Sequence, residues 1–146
     1  MKVRDILHRK GSDVFSVTEE TMVYDAIALM ADKNIGALLV LNGSRLSGII
    51  SERDYRNNVI LKGRQSRSTP VKDIMTHQVF CVTGDFDLYE CMTIMSGKKI
   101  RHLPVLDEEQ NVVGIISIGD VVKAVIDKQK LEIRDLRDYI TSGYPA

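Results

Sequence analysis

The sequence predicts an α+β fold: two pseudo-symmetric β-α-β-β-α units packed through their sheets. Three observations predict it. The first is an internal repeat. Val14 to Leu41 aligns with Val79 to Leu106 without a gap, and 11 of the 28 pairs are identical. After a one-residue insertion, Gly48 to Ile60 aligns with Gly114 to Ile126, with 7 of 13 identical. The second is that each copy carries strand-length apolar runs beside stretches whose apolar residues recur at helical spacing. The third is size: a unit of roughly 55 residues buries too little surface to be stable alone, so the two are expected to pack together and share one core.

The elements follow in order. Val3-Arg4-Asp5-Ile6-Leu7 is mirrored by Val71-Lys72-Asp73-Ile74-Met75, so each unit has the same lead-in. Val14-Phe15-Ser16-Val17 and Val79-Phe80-Cys81-Val82 read as short strands. Val23, Ile27 and Met30, and likewise Leu88, Met92 and Met95, mark one amphipathic helix per unit. Asn34 stands where the first of these should stop, because asparagine tolerates the left-handed conformation of a helix end. Ala37 to Leu41 and Leu46 to Ser51 form a hairpin about the Asn42-Gly43 turn, and Asp107 to Asn111 makes the matching turn. A second helix begins near Asp54 and near Asp120.

These elements divide the chain into residues 1–62, a basic linker 63–70, residues 71–128, and a C-terminal helix and tail 129–146. The connector from Leu61 to Pro70 holds Lys62, Arg64 and Arg67, which read either as solvated charges or as contacts for a ligand phosphate. Beyond the repeat, Val122, Ile126, Gln129, Ile133, Leu136 and Ile140 follow steps of four and three. That heptad-like seam fits either a helix folded back on its own unit or one that pairs with a partner. Gly143 and Pro145 are expected to end it.

Composition limits the function classes. Of 146 residues 44% are hydrophobic and 27% charged, the balance of a folded chain. Twenty basic and twenty acidic residues give no net charge, so there is no electrostatic footprint for nucleic acid or anionic membrane. No apolar run approaches the length of a membrane span and no signal peptide is evident, so a cytoplasmic location is expected. Two cysteines, Cys81 and Cys91, and three histidines show no metal-ligand spacing, and a metal site or disulfide framework is not expected. Neither a phosphate loop of the G-x-x-x-x-G-K type nor G-x-G-x-x-G occurs, and no local nucleophile signature is seen.

One stretch carries chemistry. Gly48-Ile49-Ile50-Ser51-Glu52-Arg53-Asp54 recurs as Gly114-Ile115-Ile116-Ser117-Ile118-Gly119-Asp120. Ser-x-x-Asp before a helix has the form of a capping box. A carboxylate at a helix start can equally accept both hydroxyls of a ribose, while the free N–H groups there suit a phosphate. The two uses do not exclude each other.

The doubled Gly-Ile-Ile-Ser-x-x-Asp, with Arg101-His102-Leu103-Pro104-Val105 ahead of the second copy, resembles a pair of cystathionine-β-synthase (CBS) domains, a Bateman module. Ser51-Glu52-Arg53-Asp54-Tyr55, with Val-Lys-Asp-Ile-Met-Thr opening the second repeat, is similar to small stand-alone prokaryotic proteins of that kind. The likeness covers all but the tail. It implies a regulatory module without catalytic residues or a catalytic cofactor, binding AMP, ADP, ATP, NAD or S-adenosylmethionine between the paired domains. It also implies a homodimer and an unidentified protein target. The alternative it leaves is a dimerising scaffold for a partner enzyme or transporter, with vestigial clefts.

By that analogy Ser16, Ile35, Gly36, Ala37, Arg101, His102, Pro104, Ser117, Ile118 and Asp120 would line one cleft. Ser51, Arg53, Asp54, Thr76, Cys81, Ile100 and Arg101 would line the other. Arg101 and His102 make the Asp120 cleft the better equipped for phosphate and the first choice for AMP.

Overall fold

Why the lead-ins recur becomes clear from where their apolar residues go. In the computed structural model, which describes residues 1–143, the first lead-in is helix α1 (Val3–Lys10) and the second is a short 3-10 turn (Val71–Asp73). The first unit continues with β1 (Ser16–Val17), α2 (Val23–Lys33), β2 (Ala37–Asn42), β3 (Arg45–Ser51) and α3 (Glu52–Tyr55), which widens into a π turn (Arg56–Ile60). The second has β4 (Val82–Thr83), α4 (Leu88–Lys98), β5 (His102–Leu106), β6 (Val112–Ser117) and the long α5 (Ile118–Asp138), closed by a π turn (Tyr139–Gly143). Each unit is a three-stranded sheet, in which a parallel pair is followed by an antiparallel hairpin.

The first strands are shorter than the sequence suggests. Only Ser16–Val17 and Val82–Thr83 find partners, at Leu39–Val40 and Val105–Leu106. The closing helices start two residues ahead of the aspartates, at Glu52 and Ile118, because the serines are the caps. Asn34 does end α2 in the left-handed conformation, and Lys99 ends α4 the same way.

The expectation of one shared core is corrected. Leu38, Val40 and Ile50 pack under α2 in one cluster, while Leu103, Val105 and Ile116 pack under α4 in another. What the units share is an exchange of lead-ins. Val3 and Ile6 complete the core of the second unit, and Val71, Ile74 and Met75 complete that of the first. Backbone bonds repeat the exchange with the same pattern. Val23 N donates to Thr69 O and Val71 N to Thr21 O, as Leu88 N donates to Met1 O and Val3 N to Phe86 O. The carbonyls of each lead-in thereby satisfy amides at the start of the other unit's helix, which lack partners within it.

The linker is accordingly structured. Thr69 is buried, its hydroxyl donates to Gln65 O, and the Arg67 guanidinium lies 3.8 Å from the centre of the Tyr24 ring. The period-2 alternation puts Leu39 and Pro104 on the sheet faces turned away from their own cores, and both are buried. Neither belongs to its own unit's apolar cluster. The C-terminal seam does not fold back: α5 buries only Val121 and Ala124. Gly143 falls in the closing turn, and Pro145 lies outside the described residues.

Candidate functional site

Two clefts open along the junction of the units, one at each Ser-x-x-Asp. The capping geometry is complete in both. Asp54 N donates to Ser51 Oγ at 3.2 Å, and Ser51 N donates to Asp54 Oδ2 at 3.0 Å. Asp120 N donates to Ser117 Oγ at 3.1 Å, and Ser117 N to Asp120 Oδ2 at 2.8 Å. The capping reading of the motif therefore holds, and it orients each carboxylate toward a cleft. A further symmetric pair ties the helix starts to the neighbouring strands: Glu52 N donates to Gly36 O and Ile118 N to Arg101 O.

The Asp120 cleft has a volume of about 500 Å³ and brings together Ile35, Gly36, Ala37, His102, Ser117 and Asp120 of the expected set. Ser16, Arg101, Pro104 and Ile118 do not line it. Ser16 is exposed on β1, Pro104 is buried inside β5, and Ile118 turns into the second core. The sequence reading missed Lys10, Asp13, Phe15 and Asn34 there. Lys10 matters most: its ammonium donates to Asp120 Oδ2 at 2.7 Å and to Ile115 O at 2.8 Å. It arrives from the exchanged α1, and nothing in the local sequence around Asp120 announces it.

Burial pushes the Asp120 carboxyl up, but the Lys10 ammonium and the Ser117 amide outweigh it and hold it below its ordinary value. Burial pushes the His102 imidazole below its ordinary value near 6.5; Lys10 and Arg101 add to this, against the pull of Asp120 and Glu52. Burial thus favours the neutral imidazole of His102 over the imidazolium.

That shift has a measurable consequence. With its folded pKa lowered, His102 contributes stability that is present above about 6.5 and is lost as pH falls through the folded value. Thermal midpoints of the wild type should therefore drop on acidification below pH 6.5, and His102→Gln should flatten that segment of the profile. An unchanged slope would rule out His102 as its source.

The Asp54 cleft has a volume of about 570 Å³ and brings together Ser51, Arg53, Asp54, Thr76, Ile100 and Arg101 as expected. Cys81 lies outside it, half-buried, with its thiol near Val79 O and pushed up by burial. Glu52, Arg56, Gln78, Val79, Phe80 and His102 also line it. Asp54 Oδ1 accepts from the Thr76 hydroxyl at 3.1 Å, with Thr76 supplied by the exchanged lead-in. Arg53 is braced by donation to Lys99 O at 2.9 Å, the carbonyl at the left-handed end of α4.

The phosphate equipment is therefore distributed opposite to expectation. Arg53, Arg56 and Arg101 gather at Asp54, while the Asp120 cleft has one ammonium already paired. Lys62, Arg64 and Arg67 of the linker line neither cleft. Phe15 and Phe80 occupy equivalent positions in the repeat, and each lies under a lysine, Lys33 at 5.2 Å and Lys98 at 4.8 Å. Their identity in both copies is the sequence signal that could have singled them out.

Comparison with known proteins shows the family and the fold. The family model described as CBS domain matches residues 3–60 and 71–127. The chain is 38% identical to the CBS domain-containing protein CBSX3, mitochondrial, of Arabidopsis thaliana, over 97% of this chain and 73% of that protein. It superposes with TM-score 0.85 and 47% identity on a putative signal-transduction protein with CBS domains from Burkholderia ambifaria, covering 88% of this chain and 96% of that one. A CBS domain protein from Pyrobaculum aerophilum, solved with AMP, shares the fold at TM-score 0.74 and 20% identity, over 82% and 89% of the two chains.

Proposed function

The chain belongs to the CBS domain family, and from that premise we propose that it is a regulatory module that binds an adenine nucleotide, without catalytic chemistry of its own. The observation that carries the reading is the Asp54 cleft: a capped carboxylate, three guanidinium-bearing residues and an aromatic ring border one cavity of ligand size. Asp54 would accept the two ribose hydroxyls, Arg101 and Arg56 would meet phosphate, and Phe80, Val79 and Ile100 would cover the base. AMP bound to the Pyrobaculum aerophilum protein supports the ligand class.

The Asp120 cleft would take the same class of ligand only if Lys10 leaves the carboxylate. Its ammonium could then meet the phosphate, with Ser117 and His102 beside it. For binding to signal, the ligand must favour one arrangement of the units over another, and two clefts on one junction allow that. The module would act in the cytoplasm, on the nucleotide pool there.

The competing reading is a dimerising scaffold for a partner enzyme or transporter with vestigial clefts, and the Lys10–Asp120 pair favours it for that cleft alone. Calorimetric titration with AMP, ADP, ATP, NAD and S-adenosylmethionine decides between them. At least one adenine nucleotide should bind well below millimolar concentration. If none does, the sensing reading fails.

A further inference from the structure

The chain passes from one unit to the other beside the Asp120 cleft. Leu7 packs on the second core, and Phe15 O accepts Leu39 N at 3.4 Å in the first unit. Of the residues on this crossing, Lys10, Gly11, Asp13 and Phe15 line the cleft. Residues 8–13 are all exposed, so no buried apolar side chain holds them down. Gly11 turns the chain out of α1 at a φ of 93°, with open space where a Cβ would stand.

One side chain ties this stretch to the rest of the molecule. Between Leu7 and Phe15, among the described residues, the hydrogen bonds and ion pairs that reach another element all belong to the Lys10 ammonium. The matching crossing at the Asp54 cleft is fastened through its backbone. There Thr76 exchanges two main-chain bonds with Ile49, at 3.0 and 2.9 Å, and its hydroxyl reaches Asp54 Oδ1. Ile115 is the counterpart of Ile49 in the repeat, so on its carbonyl the Lys10 ammonium stands where the other unit has the Thr76 amide. A main-chain bridge opens only if the strand edge is unpaired. A lysine side chain lets go by changing rotamer, a motion of picoseconds to nanoseconds where it is exposed.

We propose that residues 8–14 form a lid on the Asp120 cleft, with Gly11 as its hinge and the Lys10–Asp120 ion pair as its latch. Closed, the latch occupies the carboxylate. Open, it frees both the carboxylate and one wall of the cleft. The latch and a ligand compete for the same oxygen atoms, so occupancy of this cleft and position of the lid are linked. The lid itself requires no ligand; its link to one rests on the nucleotide reading of the clefts.

Relaxation of ¹⁵N in the full chain tests the lid directly. In the wild type the amides of Gly11, Ser12 and Asp13 should be as ordered as those of α1, with order parameters of about 0.85. Lys10→Met and Asp120→Asn should each lower them below about 0.6. Asp120→Asn keeps a side-chain oxygen for the Ser117 amide, so the helix cap survives while the ion pair is lost. Arg9→Met removes the neighbouring exposed cation and should change nothing. Wild-type values already below 0.6, values unmoved in both latch variants, or an equal drop in Arg9→Met would each overturn the proposal. A second measurement ties the latch to a ligand. In an Asp54→Ala background, adenosine offers a ribose diol without a phosphate, and Lys10→Met should bind it at least about tenfold more tightly than its parent. Equal affinities would show that Lys10 does not gate the cleft. Binding to neither protein would sink the nucleotide reading of this cleft, while the order parameters still decide the lid.

Discussion

Asp54→Ala is expected to weaken adenine-nucleotide binding about 10- to 150-fold, the equivalent of about 1.5–3 kcal/mol for one charge-assisted contact. The carboxylate accepts the Thr76 hydroxyl through Oδ1, and Oδ2 takes the Ser51 amide and hydroxyl. A ribose diol would replace Thr76 at the outward oxygen, so removing the side chain takes away the ligand's anchor. The same change costs about 1 kcal/mol of helix capping, because Ser51 N loses its acceptor while Asp54 N keeps Ser51 Oγ.

Calorimetry and thermal unfolding on the same variant separate the two losses. Asp120→Ala supplies the contrast. Its carboxylate is already engaged by Lys10, so nucleotide affinity should change less there than at Asp54. The reverse order would place the principal site at Asp120. Equal, negligible changes with a normal capping cost would leave only the scaffold.

The residues of the motif and the doubling of the chain were readable in advance, because both are local or periodic. The repeat predicted the β-α-β-β-α order, the hairpin turns, and Asn34 as a helix end. Ser51 and Ser117 cap as their spacing suggests. What could not be read was set by contacts far apart in sequence. Lys10 reaches Asp120 across 110 positions, and Thr76 reaches Asp54 only because the lead-ins cross over.

Arg101 shows the same limit. It sits one residue ahead of β5, and strand alternation alone cannot say which of two neighbouring clefts it enters. His102, next in line, borders both. The expectation of a shared core failed for a related reason. Apolar periodicity reveals that a face is buried, not which partner buries it, and here each lead-in is buried by the other unit.

That crossover should make Gly48 one of the least replaceable positions in the chain. A Cβ on Gly48 would stand 2.7 Å from Thr76 O and 2.9 Å from Met75 Sδ. The carbonyl it meets is not free to move. Thr76 O accepts Ile49 N at 3.0 Å, and Thr76 N donates to Ile49 O at 2.9 Å, so the second lead-in is pinned to β3 at this point. Gly48→Ala must therefore either break that bridge or push Met75 out of the first core, and overpacking of this kind costs about 1–3 kcal/mol.

For a chain of this length the loss amounts to a fall in thermal midpoint of about 2–12 °C. Gly114 is its counterpart, but the nearest atoms a Cβ there would meet all belong to the Leu7 side chain, its terminal carbons at 2.7 and 2.8 Å and Cγ at 3.4 Å, and a leucine side chain can rotate aside. Gly114→Ala should therefore cost clearly less. The difference carries to the site, since displacing Thr76 removes a hydrogen bond from Asp54 while displacing Leu7 leaves Asp120 paired with Lys10. Gly48→Ala should lose nucleotide affinity along with stability, and Gly114→Ala should retain it. If the two variants unfold at the same temperature and bind alike, the lead-in bridge does not support the Asp54 cleft in the way its geometry indicates.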